Sequence, residues 1–317
     1  MATAFSPSNS VTTTTADKFI PDIWSDEIVA AYKKNLVLAN LVMKMNFKGK
    51  KGDTIHIPAP TRGSASAKAA EAAVTLIAAT ESEVTVSINK HYEYSRLIED
   101  IVEAQALNSL RNFYTSDAGY ALAKQVDTDL VQLGRSTNGG AGTNAYATGA
   151  FIGGDGTTAY VAANNNESAL TDAAIRRTIQ RLDDTDTPMD QRFFLIPPSS
   201  RNTLMGLARY TEQAFVGGTN STIRTGEIGN LYGIPVFVSS NCDTASGTNA
   251  ARVCIMGHRD AVVLVEQVAV RSQVQYKQEY LATLFTSDTL YGVQILRSAA
   301  SVSAAKSASM FALLVPA

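Results

Sequence analysis

The 317-residue chain is predicted to fold as an α+β protein, and three patterns carry that prediction. Two short segments ahead of residue 90 alternate apolar and polar side chains, as half-buried strands do. An apolar pattern of helical period then runs from Leu97 to Leu133, and strand-like and helix-like runs alternate between Leu170 and Glu266. With 45% hydrophobic and 18% charged residues, the composition is that of a globular chain long enough for two modest cores.

Met1 to Ala16 is rich in Ser and Thr with almost no charge, which suits an arm that is ordered only where something else holds it. From Pro21 the pattern changes. Ile23, Trp24, Ile28, Val29, Tyr32, Leu36, Val37 and Leu41 recur at spacings of three and four, predicting an amphipathic helix between Pro21 and Val42 with Pro21 in its first turn. Lys44, Lys48, Lys50 and Lys51 follow as a local basic patch, readable as a solvated turn or as a contact for phosphate or an acidic neighbouring subunit. Thr54–Pro58 and Glu83–Asn89 then alternate as two strands of one ribbon. Between them Gly63 to Thr80 is Ala-rich, too long for a tight hairpin turn and too small-chained to build much core. Because a two-stranded ribbon is marginal alone in water, this segment is expected to rest on other protein, either its own core or another copy.

The helical run that begins at Leu97 reaches Gly134, with Asn108-Ser109 as the point where it starts or bends. Ser136 to Asn166 is rich in Gly, Ala, Asn and Thr, and is expected to hold loops, one short strand and a boundary. Thr171-Asp172 can cap a helix that carries Ala174, Ile175, Thr178, Ile179 and Leu182 on one face. A strand at Arg192–Ile196 and a helix begun by Pro198-Ser199-Ser200 follow. In Thr225 to Asn241, Gly226, Gly229 and Gly233 allow turns of positive φ, and Ile234–Val238 is a short buried strand with Pro235 at its beginning. Val253–Gly257 and Ala261–Val265 supply further strands, and Tyr276 to Ser298 offers β runs that rejoin the region around the long helix.

The chemistry-bearing residues are sparse. A formal net charge of -2 gives no global attraction to nucleic acid and argues against a sequence-reading DNA binder. Two cysteines and three histidines are too few for a structural metal cluster; Cys242 and Cys254 are read as buried free thiols in a reduced compartment, with a disulfide across neighbouring strands as the alternative. The N-terminus lacks the features of a signal peptide, and the longest apolar runs fall far short of the ~20 residues a bilayer requires. His258-Arg259-Asp260 lacks the companion motifs of a kinase and reads as a turn. Gly153-Gly154-Asp155-Gly156 lacks the Lys-Ser/Thr of a phosphate loop and reads as a flexible loop. Asp183, Asp184 and Asp186 lack calcium-loop spacing and read as a solvated helix end. His56 and His91 could face one another on the ribbon, a poor metal site without a carboxylate partner. Ser200 belongs to a helix start rather than to a nucleophile motif, while Trp24, Tyr92 and Tyr94 are either interface anchors or local core. No catalytic, cofactor-binding or metal residue is assigned, no cofactor is expected, and the chain is read as no enzyme.

FFLIPPSSRNTL (Phe193 to Leu204) together with TGEIGNLYGIPVFVSSN (Thr225 to Asn241) resembles the axial domain of tailed-bacteriophage major capsid proteins. The order of segments resembles the Johnson fold of that family across nearly the whole chain. The resemblance implies an N-terminal arm with its helix over 1–47, an extended β loop over 48–96 and a peripheral domain with a spine helix over 97–166. It further implies an axial domain over 167–266, then peripheral return strands and a C-terminal segment over 267–317. It implies a major capsid protein that assembles with itself, through pentamers and hexamers, into an icosahedral shell around double-stranded DNA. Glycine joints at Gly139-Gly140 and Gly217-Gly218 would let one sequence occupy both surroundings. The expected partners are further copies, a separate scaffolding protein because no long charged helical extension precedes the arm, a portal, and packaged DNA through weak nonspecific contact; no membrane is involved. The expected location is the virion capsid, assembled in the host bacterial cytoplasm. Two alternatives stay open: an encapsulin-like compartment shell around a cargo, and an enzyme with an unrecognised site.

Overall fold

Two β-sheets meet across one long helix in the computed structural model of the chain, which describes residues 37–48, 51–60, 63, 65–71, 73–76, 81–100, 109–134, 150–161, 166–207, 229–242, 251–296 and 309–316. In chain order the elements are α1 (Leu38–Leu41), β1 (Met43–Asn46), β2 (Thr54–Pro60), β3 (Glu81–Ser87), β4 (Lys90–Glu99), α2 (Ser109–Gly134), β5 (Ala150–Ile152) and α3 (Asp172–Asp184). They continue with β6 (Arg192–Ile196), α4 (Pro198–Met205), β7 (Asn230–Leu231), β8 (Ile234–Val238), β9 (Arg252–His258), β10 (Val262–Lys277), β11 (Ala282–Ile295) and β12 (Met310–Val315).

The first sheet has the order β1-β10-β11-β4, and the second β5-β12-β9-β6-β8-β7. β2 and β3 form a separate antiparallel ribbon, in register from Thr54 opposite Ser87 to Pro60 opposite Glu81. In the first sheet β10 and β11 make a long hairpin whose register shifts between Glu266 and Val268 and again between Val268 and Arg271. Burial changes near the same place: Val262 to Val265 are buried, whereas Val270 to Tyr276 are exposed. The hairpin ends in a 3-10 turn over Gln278–Tyr280, followed by Leu281 in the left-handed region at φ 44°.

Local sequence accounts for the element boundaries. The Thr171 hydroxyl accepts the Ala174 amide at 3.3 Å and caps α3. Pro198 occupies the first turn of α4, where its missing N–H costs nothing. β7 and β8 are joined through Tyr232 and Gly233 at φ 52° and 82°, the two positive values a tight hairpin of this hand needs. Gly229 does not share that conformation, and Gly226 lies outside the described residues.

One core joins the two sheets. Val262, Leu264, Tyr291 and Ile295 of the first sheet pack with Phe193, Leu195, Val253, Ile255, Ala312 and Leu314 of the second, with Leu130, Val131 and Leu133 of α2 between them. A second cluster buries α3 against the other face of the six-stranded sheet through Ala174, Ile175 and Leu182.

Several expectations are corrected. Leu97 and Ile98 are not part of the long helix: they pair with Leu284 and Thr283 inside β4, while the described helix runs from Ser109, one of the two readings of Asn108-Ser109. Two adjacent apolar residues fit a helix stripe and a strand equally well, and sheet pairing decides. Met43-Lys44-Met45-Asn46, read only as the start of a basic patch, is a strand that pairs in parallel with β10. The run from Ala261 to Val265 supplies the start of the sixteen-residue β10 in the four-stranded sheet. The six-stranded sheet instead recruits β5 from before residue 167 and β12 from the end of the chain. Of the helix expected over Pro21 to Val42, 37–42 falls within the described residues and is helical at Leu38–Leu41, and Trp24, Lys50, Gly139-Gly140 and Gly217-Gly218 lie outside them.

Candidate functional site

The most prominent projection is a ribbon anchored at one end and exposed, in its described residues, at the other. At its root, Val86 and Ile88 are buried against Val263 and Val265, with Met43, Met45, Phe47, Ile55, Ile57 and Leu290 packed around them. The Ile88 amide donates to the Asp53 carbonyl at 2.8 Å, closing the ribbon where it leaves the body. Gly292 of β11 lies directly beneath: a Cβ there would stand 2.5 Å from the Ser87 carbonyl oxygen and 3.2 Å from Ile88 Cα. Only glycine admits that approach.

Beyond the root the described part of the loop is bare. Every described residue between 63 and 76 is exposed, and Val74 and Leu76 are 69% and 89% exposed. The outer half of the β10–β11 hairpin likewise presents Val270, Val274, Tyr276, Tyr280 and Leu281 to solvent. Apolar surface of this extent is a mark of interaction surfaces.

The body that carries these projections is tied together by two buried carboxylates on α2. Asp127 accepts the Ala39 amide at 3.2 Å through Oδ1 and the Asn241 side-chain amide at 3.0 Å through Oδ2. Burial raises its pKa, against the lowering effect of the bonds from Asn241, Ala39 and Leu38. Asp129 accepts the Tyr291 hydroxyl at 2.7 Å, pairs with Lys90 Nζ at 3.1 Å and takes a bond from Gln125 at 3.0 Å. The Tyr291 phenol is pushed up, first by burial and then by its bond to Asp129. Sequence reading missed both acids; the available signal was two aspartates interrupting the apolar run Val126 to Val131.

The residues singled out from sequence have structural roles. His56 and His91 do not meet: His56 Nδ1 lies 3.0 Å from Glu83 on the ribbon, while His91 Nε2 lies 3.3 Å from Asp288 in the four-stranded sheet. Different sheets claim the two strands, so each histidine finds its own carboxylate. Arg271 also holds Asp288, through bonds of 2.7 and 2.9 Å, and keeps its carboxyl below the usual range. Tyr92 packs against Tyr291 with ring centroids 5.9 Å apart, and the Tyr94 hydroxyl donates to Asp117 at 3.1 Å, so both serve the subunit's own helix–sheet packing. Asp183 pairs with the buried Arg192 at 2.8 Å at the end of α3. Gly153-Gly154-Asp155-Gly156, expected as a flexible loop, is a packed turn: a Cβ at Gly153 would come within 2.6 Å of the Ser168 carbonyl oxygen, and Asp155 accepts the Thr157 and Thr158 amides.

Arg259–Ala261 forms the 3-10 turn that carries the chain from β9 to β10, and the His258 ring caps it by accepting the Asp260 amide at 3.1 Å. Ser200 is buried, with its hydroxyl 3.4 Å from the Cys254 sulfur. Cys242 and Cys254 are both buried free thiols; burial pushes Cys254 up to about 12 and raises Cys242 as well. Lys44, Lys48 and Lys51 are exposed, and Lys44 Nζ donates to Asn40 at 3.0 Å. Among the described residues no group of three or more His, Cys, Asp or Glu side chains could hold a metal ion, and no helix is long and apolar enough to cross a membrane.

A long helix against one sheet, a second sheet on its far side and an outreaching ribbon define the α+β Johnson-type architecture of virion shell subunits. The chain belongs to the phage capsid family, whose model matches residues 17–304. It is a structural protein of the virion capsid. Among solved structures, that of Mycobacterium phage Che8 is similar at 20% identity and a TM-score of 0.72, over 93% of this chain and 97% of that one. The capsid of Cyanophage P-SCSP1u is similar at 19% identity and a TM-score of 0.73, over 99% of both chains. The acidic stable capsid of Helicobacter pylori bacteriophage KHP30 is similar at 11% identity and a TM-score of 0.70, over 98% of this chain and 100% of that one. No curated protein sequence matches the chain.

Proposed function

We propose that this chain is the major shell subunit of a tailed phage and assembles with itself, through pentamers and hexamers, into an icosahedral capsid around double-stranded DNA. The supporting observation is the ribbon: its root is sealed into the subunit's core while every described residue from 63 to 76 is exposed. Exposed strand edges and apolar tips are hazards on a monomer and contact surfaces in a closed assembly, where each copy covers the next. Many modest contacts then act together, because closing a ring raises the effective concentration of each later contact.

The same reading divides the chain into an arm over 1–47, an extended loop over 48–96, a peripheral domain over 97–166 and 267–317, and an axial domain over 167–266. Assembly in the bacterial cytoplasm with a separate scaffolding protein and a portal belongs to it. Contact with DNA is weak, nonspecific and salt-dependent, made by local patches such as Lys44, Lys48 and Lys51. The experiment is sedimentation and electron microscopy of the purified full chain: pentamers, hexamers or shells are expected, and a stable monomer at high concentration refutes the proposal. Deleting 63–80 is expected to leave the body folded and to suppress shells, so normal particles from that variant show that the loop is no interface.

A further inference from the structure

We infer that Asp127 and Asp129 form a two-sided clamp on α2 that fixes how α1 and the two sheets are oriented relative to one another. Two residues apart on a helix means about 200° around its axis, so the two carboxylates leave opposite sides of the same turn. Asp127 reaches α1, at the Ala39 amide, and the segment that follows β8 of the six-stranded sheet, at Asn241. The neighbouring Thr128 hydroxyl takes a second bond from the Asn241 amide at 3.2 Å. Asp129 reaches the opposite way, to Lys90 where β4 begins and to Tyr291 in β11. One helical turn thereby holds α1, the six-stranded sheet and the four-stranded sheet.

The surrounding joint is apolar, built from residues such as Leu130, Val131, Val262, Leu264, Ile255 and Leu314. Apolar contact is non-directional and tolerates sliding and tilting, whereas a buried carboxylate must keep its donors or leave a charge uncompensated. The acids therefore specify orientation more than they add stability. In a shell, orientation within the subunit sets the angle at which its contact surfaces meet their neighbours.

The test uses the full chain with Asp190→Cys on the six-stranded-sheet side and Gln273→Cys on the outer hairpin, both exposed positions, carrying spin labels and diluted in unlabelled chain. The buried native thiols stay unlabelled. Asp127→Leu/Asn241→Leu removes both polar partners while keeping the joint filled, and Asn241→Ala alone removes the two bonds of the Asn241 amide while leaving Asp127 its Ala39 donor, should the double variant not fold. The clamp predicts at least a twofold broader distance distribution and at least tenfold faster hydrogen exchange at Leu38 and Ala39 in the double variant, with a smaller broadening in Asn241→Ala. An unchanged distance distribution in a folded variant overturns the inference, even if shells form normally or fail to form.

Discussion

Gly292→Ala is the most direct probe of how the ribbon is rooted. The added methyl would lie 2.5 Å from the Ser87 carbonyl oxygen and 3.2 Å from both Ile88 Cα and the Ser87 carbonyl carbon. All three atoms are backbone, so no side-chain rotation relieves the overlap, and the root must retreat by roughly 0.9 Å or more to restore ordinary contact. That retreat pulls Val86 and Ile88 away from Val263 and Val265 and strains the Ile88–Asp53 backbone bond. Overpacking of this kind costs about 1–3 kcal/mol. Denaturant unfolding of the unassembled subunit should show the loss as a lower midpoint at unchanged slope. Hydrogen exchange should locate it at Ser87 to Asn89 and leave the six-stranded sheet untouched. A wild-type midpoint together with wild-type exchange in those residues would refute the close approach on which the anchoring argument rests.

Three further outcomes are expected. Thr171→Ala removes the cap of α3 and should cost about 1 kcal/mol, read by thermal unfolding, with Thr171→Ser close to wild type. Cys242 and Cys254 should resist maleimide at neutral pH in the native protein and react fully in denaturant, because burial disfavours both thiolates; rapid native labelling would contradict their placement. Acid titration should separate two aspartates of opposite sign. Asp288, held low by Arg271, contributes stability at neutral pH that is lost as pH falls through its lowered pKa, so Asp288→Asn should flatten the acid limb of the stability curve. Asp127, raised by burial, contributes stability that is fully present below the ordinary carboxylate range and lost as pH rises through its raised value, so Asp127→Asn should remove that loss.

Much of this architecture was legible in the sequence where a local cause decides it. The Thr171 cap, the strand at Arg192–Ile196, the Pro198 helix start and the Ile234–Val238 strand all stand where their own residues place them. The ribbon was legible through its period of two. Sheet membership was not, because it depends on partners distant in sequence: nothing in Met310–Val315 announces that its neighbours are β5 and β9, and nothing in Met43–Asn46 announces β10. The helix start misled because Leu97 and Ile98 satisfy a helical stripe as well as a strand. The acids of α2 escaped notice because a buried aspartate carries no local mark of burial; only its distant donors, Asn241 and Tyr291, reveal it.

The position of β12 has a bearing on timing during synthesis. It is an interior strand, flanked by β5 and β9, although its residues are translated after both of them. A ribosome-bound chain that has reached residue 300 thus holds an unfinished sheet with a vacant slot, and its two rims cannot close until Met310 to Val315 emerge. Completion of the six-stranded sheet therefore waits for the strand made after the other five, and the core that β12 shares with α2 closes only then.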